Sequence, residues 1–175
     1  MKLTLVMVTS LDGRSTRGGE EGTHDWNSEE DKKHFQSVID NGQLLIMGST
    51  TYSQAKNMMV HAEGKLRIVI TRDPSKFESE KIKGKLEFSN ENPTALLKRL
   101  ESLGFTEGFL LGGANTNTEF LKQNLVNEFW QTLEPRIFGI GNGILGEEKI
   151  NVKLKLLSSE KLNDQGTLLL KYQII

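Results

Sequence analysis

The stretch FLLGGANTNTEFLKQNLVNEFWQTLEPRIFGIGNGIL, residues 109–145, decides the fold of this chain. It opens with the apolar run Phe109-Leu110-Leu111, which is typical of a buried strand. The run ends at Gly112-Gly113, and apolar residues then recur at helical spacing, at positions 120, 121 and 125. The sequence therefore predicts a strand, a glycine turn and a helix, in that order.

The Gly112-Gly113 turn has two interpretations. The first N–H groups of a helix have no partner within the helix and carry partial positive charge, so they can hold an anion. Glycine also lets a ligand approach the backbone closely. One hypothesis is therefore a phosphate or pyrophosphate site, and the other is an ordinary tight turn without a ligand.

Composition limits the class of protein. The 175 residues predict one domain, residues 1–175, and the formal net charge of −1 disfavours a nucleic-acid binder with a basic face. No apolar run is long enough to span a bilayer, and the start of the sequence does not resemble a signal peptide. The absence of cysteine excludes disulfides, thiolate metal ligands and cysteine nucleophiles. We therefore expect a cytoplasmic protein without nucleic-acid or membrane partners.

Apolar runs alternate with amphipathic segments along most of the chain. Strands are predicted at residues 2–9, 43–47, 66–71, 86–88, 108–111, 126–134, 152–159 and 167–175. Helices are predicted from Ser28 to about residue 40, after Thr51 to about residue 56, at residues 94–103, and after Gly113. This alternation indicates parallel strands with crossover helices, and Asn163-Asp164-Gln165-Gly166 predicts a closing hairpin. We expect an α/β fold with a mixed sheet, parallel first and antiparallel at the C-terminal end.

Two further strand ends carry chemistry suited to phosphate. Gly48-Ser49-Thr50-Thr51 repeats the pattern of a strand, a glycine, hydroxyl residues and a helix. Thr71-Arg72 follows the third strand, where the guanidinium could fork onto a phosphate or simply be solvated. Ligands of open α/β sheets bind at the carboxyl ends of strands. Together with Gly112-Gly113, these junctions favour a ligand with several phosphates, such as a dinucleotide.

Asp31 is the candidate functional carboxylate of the first helix. It lies four residues before Phe35 and seven before Val38, on the apolar stripe of that helix. Partial burial there would raise its pKa. The alternative is a structural role, in which Ser28 and Asp31 form a variant of the capping box. The polar residues 14–27 precede this helix and suggest either a flap over a site or a surface loop.

Other chemistries are disfavoured. Gly139-x-Gly141-x-Gly143 is not followed by a helix, so it lacks the context of a dinucleotide fingerprint. His24, His34 and His61 are not arranged at metal-ligand spacing, although His34 follows Glu30 and Asp31 closely enough to leave a metal pair open. We expect three surface histidines and no metal site.

With these motifs identified, the chain resembles the dihydrofolate reductase-like superfamily. Within it, the chain is most similar to the reductase domain of the bacterial bifunctional deaminase–reductase of riboflavin biosynthesis and its stand-alone relatives. The matching stretches span nearly the whole chain: Thr9-Ser10-Leu11-Asp12-Gly13, Asp25-Trp26, residues 46–52, residues 68–72, Leu111-Gly112-Gly113 with Phe120-Leu121, and Leu125-Val126-Asn127-Glu128 followed by Pro135 and Gly139-x-Gly141. No deaminase domain is present in the sequence. The resemblance implies a three-layer fold with helices on both faces of the sheet.

The resemblance also implies an NADPH-dependent reductase. Cofactor phosphates would meet the starts of two helices, and the adenosine side would meet the end of the third strand. These residues are Gly48, Ser49, Thr50 and Thr51; Gly112, Gly113, Ala114, Asn115 and Thr116; and Thr71 with Arg72, where a 2′-phosphate would favour NADPH over NADH. Asp12 and Trp26 would lie on the substrate side of the cleft.

The implied reaction is hydride transfer from nicotinamide C4 to a C=N bond or a ring-opened sugar carbon of a pterin- or pyrimidine-type heterocycle. Asp31 falls where folate reductases keep their helix carboxylate and would supply the proton, directly or through water. Asp12 would anchor the substrate or act as the alternative acid. Such relatives are often homodimers, and the C-terminal hairpin strands could pair across a two-fold axis.

Two departures from the family pattern stand out. Ser49 replaces the arginine that folate reductases usually have after the first glycine. Residues 54–66 lack the Asp-Asn-Pro-x-Leu-Thr-x-Arg-like stretch usual in the riboflavin reductases, which affects the substrate more than the cofactor. A dihydrofolate reductase and a non-catalytic nucleotide-binding relative therefore remain as alternatives.

Overall fold

One sheet organises the described part of the chain, residues 1–18 and 25–175 of a computed structural model. The strands are β1 (Lys2–Ser10), β2 (Leu44–Gly48), β3 (Leu66–Ile70), β4 (Leu86–Ser89), β5 (Glu107–Leu110), β6 (Glu128–Glu134), β7 (Leu154–Lys161) and β8 (Leu168–Ile174). The α-helices are α1 (Glu29–Asn41), α2 (Ser49–Ala55), α3 (Pro93–Ser102) and α4 (Ala114–Lys122). Two short 3₁₀ segments, Lys56–Met58 and Pro74–Glu80, complete the regular structure.

The sheet is mixed, as the sequence predicted. Its strand order is β4-β3-β2-β5-β1-β6-β8-β7. The six strands from β4 to β6 pair in parallel, whereas β8 pairs antiparallel with both β6 and β7. The carboxyl ends of six neighbouring strands therefore share one edge, which is the edge where open α/β sheets bind ligands.

Helices cover both faces of the sheet, which confirms the expected layers. Leu44 and Ile46 of β2 point into a core that α3 and α4 close. Leu45 and Met47 of the same strand point into a second core, which includes Val38 of α1 and Tyr52 of α2. Burial on both faces explains why this strand is continuously apolar rather than alternating.

Most element boundaries match the sequence prediction within two residues. The hairpin turn is also confirmed, because Asn163 Oδ1 accepts hydrogen bonds from the N–H groups of Gly166 (3.1 Å) and Thr167 (3.0 Å). The predicted flap, residues 14–27, is described only in part, since residues 19–24 lie outside the described residues. Within the described ranges, no helix is long and apolar enough to cross a membrane.

Candidate functional site

The carboxyl edge of the sheet gathers the residues that the sequence singled out. Asp12 follows β1, Gly48 ends β2, Thr71 follows β3 and Gly112 follows β5. Glu134 ends β6, which lies beside β1 in the sheet. Five neighbouring strands thus bring the two glycine turns, Thr71 and two carboxylates to the same edge of the sheet.

The two glycine turns are in direct contact. The N–H of Gly48 donates a 2.7 Å hydrogen bond to the carbonyl oxygen of Gly112. A Cβ added at Gly48 would lie 2.5 Å from Thr116 Oγ1, so no larger residue fits without a shift. Gly112 has φ +91°, a conformation that glycine adopts readily, and the Gly112–Gly113 peptide bond is cis. The starts of α2 and α4 are therefore packed against each other.

Neither helix start is capped by a side chain. The N-cap residues are Gly48 for α2 and Gly113 for α4, and glycine offers no capping oxygen. The first turns that follow contain the predicted cofactor residues Ser49, Thr50 and Thr51, and Ala114, Asn115 and Thr116. Their free N–H groups can hold negatively charged oxygens, so the pair of turns fits a ligand with two phosphate groups.

Thr71 and Arg72 directly follow β3, which lies beside β2 in the sheet. The N–H of Thr71 donates to the carbonyl oxygen of Ser89 (2.9 Å), and its hydroxyl accepts from the N–H of Asp73 (3.3 Å). Arg72 is exposed at this corner. Its guanidinium is accessible to an anion at the carboxyl edge.

Asp31 is buried at the start of α1, with 4 % of its surface exposed. Its Oδ2 accepts a 2.7 Å hydrogen bond from Asn27 Nδ2. Burial raises the pKa of Asp31; the negative charge of Glu134 also raises it, while hydrogen bonds from Thr132 and Asn27 act against the shift. This carboxyl therefore keeps its proton to a higher pH than an exposed aspartate.

Asp31 does not complete a capping box. Ser28 Oγ accepts from the N–H of Asp31 (3.2 Å), as an N-cap should. The reciprocal bond is missing, because the N–H of Ser28 donates to Glu134 Oε1 (2.8 Å) instead. The Asp31 side chain therefore does not cap the helix, which was the alternative interpretation of this residue.

Glu134 is the site residue that sequence reasoning missed. It is 2 % exposed, and its two oxygens accept from Ser28 Oγ (2.7 Å) and Thr167 Oγ1 (2.8 Å) as well as from the backbone of Ser28. The available signal was the period of two along β6, which places Glu134 on the same face as buried Thr132. Two buried carboxylates, Asp31 and Glu134, therefore flank the start of α1.

A polar pocket adjoins this pair of carboxylates. Its volume is about 320 Å³. Its lining comes from the start of α1, the end of β6 and the hairpin turn: Ser28, Glu30, Glu134, Pro135, Arg136, Asn163, Gln165 and Thr167. The pocket shares Ser28 and Glu134 with the Asp31 site, so a polar group bound there would lie beside the buried carboxylates.

Asp12 is held by three donors. Its carboxylate accepts from Ser10 Oγ (2.6 Å) and from the N–H groups of Gly139 (2.7 Å) and Phe138 (3.1 Å). The hydrogen bond from Ser10, followed by those from the two backbone groups, lowers the pKa of Asp12 to about 2. Asp12 is therefore ionised near neutral pH, and its geometry suits an anchor for the loop at residues 137–143.

Trp26 is buried immediately before α1, with 2 % of its surface exposed. Its ring meets Phe138 edge to face, with ring centroids 5.0 Å apart. Its Nε1 is buried and has no hydrogen-bond partner among the described residues. The indole thus packs against the 137–143 loop.

That loop is joined to the start of the predicted flap. The N–H of Ser15 donates to the carbonyl oxygen of Asn142 (2.7 Å), and the N–H of Gly18 donates to that of Ile140 (2.9 Å). At Gly141 an added Cβ would lie 1.9 Å from the carbonyl oxygen of Thr16, so the approach requires glycine. Gly141 therefore serves the packing of this loop against the start of the predicted flap.

The histidines differ in part from expectation. His34 and His61 were predicted to be surface residues, but both are half-buried, and each has a buried ring nitrogen with no partner among the described residues. His24 lies outside the described residues. In the part of the chain that the structure describes, no cluster of three or more His, Asp or Glu side chains could hold a metal ion.

Comparison with known proteins gives consistent matches over the whole chain. A curated relative, "Uncharacterized protein YwjB" of Bacillus subtilis (strain 168), is 27% identical over 170 residues, covering 91% of both chains. A putative riboflavin biosynthesis protein from Shewanella sp. PV-4 superposes with a TM-score of 0.78 at 22% identity, covering 100% of this chain and 99% of its own. A pyrimidine reductase-like protein from Corynebacterium diphtheriae gives a TM-score of 0.77 at 13% identity, covering 99% and 92% of the two chains.

A longer relative shows the same fold. Acinetobacter baumannii RibD gives a TM-score of 0.77 at 16% identity, and the match covers 99% of this chain but 58% of that one. The family model described as the RibD C-terminal domain matches residues 1–168. The chain therefore belongs to the RibD C-terminal domain family.

Proposed function

We propose that this protein is an NADPH-dependent reductase that acts on a pterin- or pyrimidine-type heterocycle, resembling the 5-amino-6-(5-phosphoribosylamino)uracil reductase of riboflavin biosynthesis. The observation that carries the proposal is the burial of Asp31 on the same sheet edge as two uncapped helix starts. A candidate proton donor and a candidate place for phosphates then lie at one edge of the sheet. Membership of the RibD C-terminal domain family supports the same conclusion.

The residues of the carboxyl edge fit a nicotinamide dinucleotide. Gly48 and Gly113 offer no side-chain cap, so the N–H groups at the starts of α2 and α4 are available to bind the oxygens of a pyrophosphate. Thr71 and exposed Arg72 would meet the adenosine side, where the guanidinium can pair with a 2′-phosphate. Ser49 contributes a hydroxyl and the backbone rather than a positive charge. When bound, the cofactor supplies the hydride.

Asp31 would supply the proton. Reduction of a C=N bond adds a hydride to carbon and a proton to nitrogen, so an acid is needed beside that nitrogen. Burial and the neighbouring Glu134 raise the pKa of Asp31, so this carboxyl keeps its proton to a higher pH than an exposed aspartate would. Asn27 orients the carboxyl through Oδ2.

Asp12 and Trp26 would shape the substrate side. Ionised Asp12 holds the 137–143 loop through Phe138 and Gly139, and so positions that wall of the cleft. Trp26 packs on Phe138, and its unpartnered Nε1 could donate to a polar atom of the heterocycle. Both residues would exclude water from the reacting atoms.

A dihydrofolate reductase is the second candidate. Asp31 is the observation that favours it, because folate reductases keep a carboxylate at the corresponding helix position and this one is buried. The two candidates share the cofactor and the acid, and they differ in the heterocycle.

The test has two stages. Calorimetric titration with NADPH and NADH comes first, and we expect tighter binding of NADPH. Purified protein is then given NADPH with either the riboflavin-pathway pyrimidine or dihydrofolate, and oxidation is followed by the loss of NADPH absorbance. Turnover of only one substrate decides between the two reductases. Binding without turnover of either would favour a non-catalytic relative, and no binding of either nucleotide would end the reductase proposal.

A further inference from the structure

Arg67 is a buried cation with no counter-ion among the described residues. It is the second residue of β3 and is only 3 % exposed. It lies on the sheet face of Leu45 and Val69, whose side chains belong to the core closed by α1 and α2. Nη1 is fully buried without a hydrogen-bond partner, and no carboxylate of residues 1–18 or 25–175 lies within ion-pair distance of the guanidinium.

This arrangement is costly for the folded chain. Burying a charge is unfavourable unless it is paired and hydrogen-bonded. Burial lowers the pKa of Arg67, and no described carboxylate acts against that shift. A methionine or leucine would fill the same apolar surroundings without the penalty. The charge therefore points to a ligand that supplies the missing counter-ion.

Two further basic residues, Lys85 and His61, lie beside this position. The N–H of Arg67 donates a 2.8 Å hydrogen bond to the carbonyl oxygen of Lys85, which immediately precedes the neighbouring strand β4. Lys85 Nζ pairs with Glu63, which ties the loop of residues 59–65 to this corner. His61 lies in that loop, and its Nδ1 is buried with no partner among the described residues.

The charges at this corner are mainly positive. Burial, followed by the positive charges of Arg67 and Lys85, lowers the pKa of His61. Glu63 is the acidic group that the structure describes here, and its side chain is 90 % exposed at the rim. It neutralises Lys85 but leaves the buried guanidinium unpaired.

We propose that Arg67, His61 and Lys85 form a binding site for a phosphate-type oxyanion. The guanidinium offers a planar fork that matches two oxygens of a phosphate, and the imidazole and the ammonium add donors for the remaining oxygens. The site is separate from the proposed cofactor residues. Thr71, which directly follows β3, lies four residues after Arg67, and at about 3.3 Å per residue this is about 13 Å away. The proposed Arg67 site does not depend on the proposed function, and its test is independent of the reductase assays.

Thermal unfolding with inorganic phosphate is the direct test. Phosphate is added at constant ionic strength, with potassium chloride as the reference, to wild-type protein and to Arg67→Met. At 100 times the dissociation constant, we expect the wild-type melting temperature to rise by about 5–10 °C and the variant to show no rise. Ribose 5-phosphate, tested in parallel, shows whether the site prefers a free phosphate or a phosphate ester.

Two variants separate loss of the proposed site from a general effect of removing a positive charge. Arg67→Met should melt no lower than wild type without phosphate, since it removes an unpaired buried charge. Lys33→Met, which removes an exposed cation of α1, should keep the full response to phosphate. Equal stabilisation of wild type and Arg67→Met, or no stabilisation of wild type beyond the chloride reference, would overturn the proposal.

A measurement on the wild-type chain alone covers the case in which Arg67→Met does not fold. Phosphate is titrated into ¹⁵N-labelled protein, and the amide shifts are followed by NMR. We expect saturable shifts at residues 60–67 and at Lys85, because His61, Arg67 and Lys85 would contact the anion. Shifts confined to Gly113 and Ala114 at the carboxyl edge would show that phosphate binds only there, and the Arg67 site would be rejected.

Discussion

Glu134 Oε1 accepts hydrogen bonds from both the backbone N–H and the hydroxyl of Ser28, which lies 106 residues earlier in the chain. This contact fixes the start of α1 against the end of β6. It also places a second negative charge beside Asp31. The raised pKa of Asp31 therefore depends in part on a residue from a distant part of the sequence.

Replacing Glu134 by glutamine should have two effects. The amide nitrogen cannot accept a hydrogen bond, so donors from Ser28 or Thr167 lose their acceptor, and the free energy of unfolding should fall by about 1–3 kcal/mol. Loss of the negative charge should also lower the pKa of Asp31. Urea unfolding measures the first effect, and the pH profile of turnover, shifted to lower pH, measures the second.

Glu30→Gln is the matched control for Glu134→Gln. Glu30 lines the same pocket but is only half-buried, where it accepts from Asn163 Nδ2 (3.0 Å). Its replacement should leave both the pH profile and the stability nearly unchanged. An unshifted profile in Glu134→Gln would show that Glu134 does not tune Asp31.

Asp31→Asn should separate activity from stability. If Asp31 delivers the proton, turnover should fall about 10²–10⁴-fold while NADPH still binds. The folded chain raises the pKa of Asp31 above its unfolded value, so ionised Asp31 opposes folding at pH above the folded pKa. The penalty shrinks as the pH falls towards the unfolded value and is absent below it.

Asp31→Asn removes this penalty, so the variant should be more stable than wild type near neutral pH, and the difference should shrink in acid. Urea unfolding at a series of pH values checks this dependence. The backbone cap from Ser28 is retained in the variant, since Ser28 Oγ accepts from the N–H of residue 31. Unchanged turnover in Asp31→Asn would exclude Asp31 from the mechanism.

Gly48→Ala should disturb both glycine turns. The added Cβ would lie 2.5 Å from Thr116 Oγ1, and overpacking of this kind costs about 1–3 kcal/mol. We expect a lower melting temperature and weaker NADPH binding. Adding Thr116→Ala removes the clashing oxygen and should restore the melting temperature. If the double variant is no more stable than Gly48→Ala, the clash is not the cause.

Arg72→Met should change cofactor preference. Loss of a guanidinium–phosphate contact is worth about 1.5–3 kcal/mol, so NADPH affinity should fall about 10- to 100-fold while NADH affinity stays the same. Calorimetry with both nucleotides measures this. Lys76→Met removes a nearby cation that is 74% exposed and serves as the control. An equal loss for NADH would place Arg72 away from the 2′-phosphate.

The expected homodimer is testable at β7. Every residue of this outer strand is exposed, and Leu156, half exposed, lies opposite Tyr172 of β8. If two copies pair here, Leu156→Lys should raise the dimer dissociation constant at least about tenfold in sedimentation experiments. Leu103→Lys, at a 61 % exposed leucine after α3, should have no effect. A wild-type monomer at high concentration would refute the dimer.

Local sequence patterns predicted most of the fold. Continuous apolar runs marked β2 and β5 because both faces of these strands are buried, and helical spacing placed Asp31 on the inward side of α1. Glu134 was not predicted because its partners, Ser28 and Thr167, are distant in sequence and a carboxylate before Pro135 resembles a solvated strand end. Arg67 was not singled out because one arginine within the apolar run of β3 gives no local sign that its side chain is buried.

The hydrogen bond between Gly48 and Gly112 has a consequence for binding entropy. The two turns, 64 residues apart by number, are fixed to each other before any ligand arrives. A dinucleotide that spans them would not have to freeze two independent loops, and ordering a loop normally consumes part of the interaction energy. Such a pre-organised cradle would hold a pyrophosphate through backbone groups, so its affinity for that part of the ligand would tolerate a side-chain change such as serine for arginine at position 49.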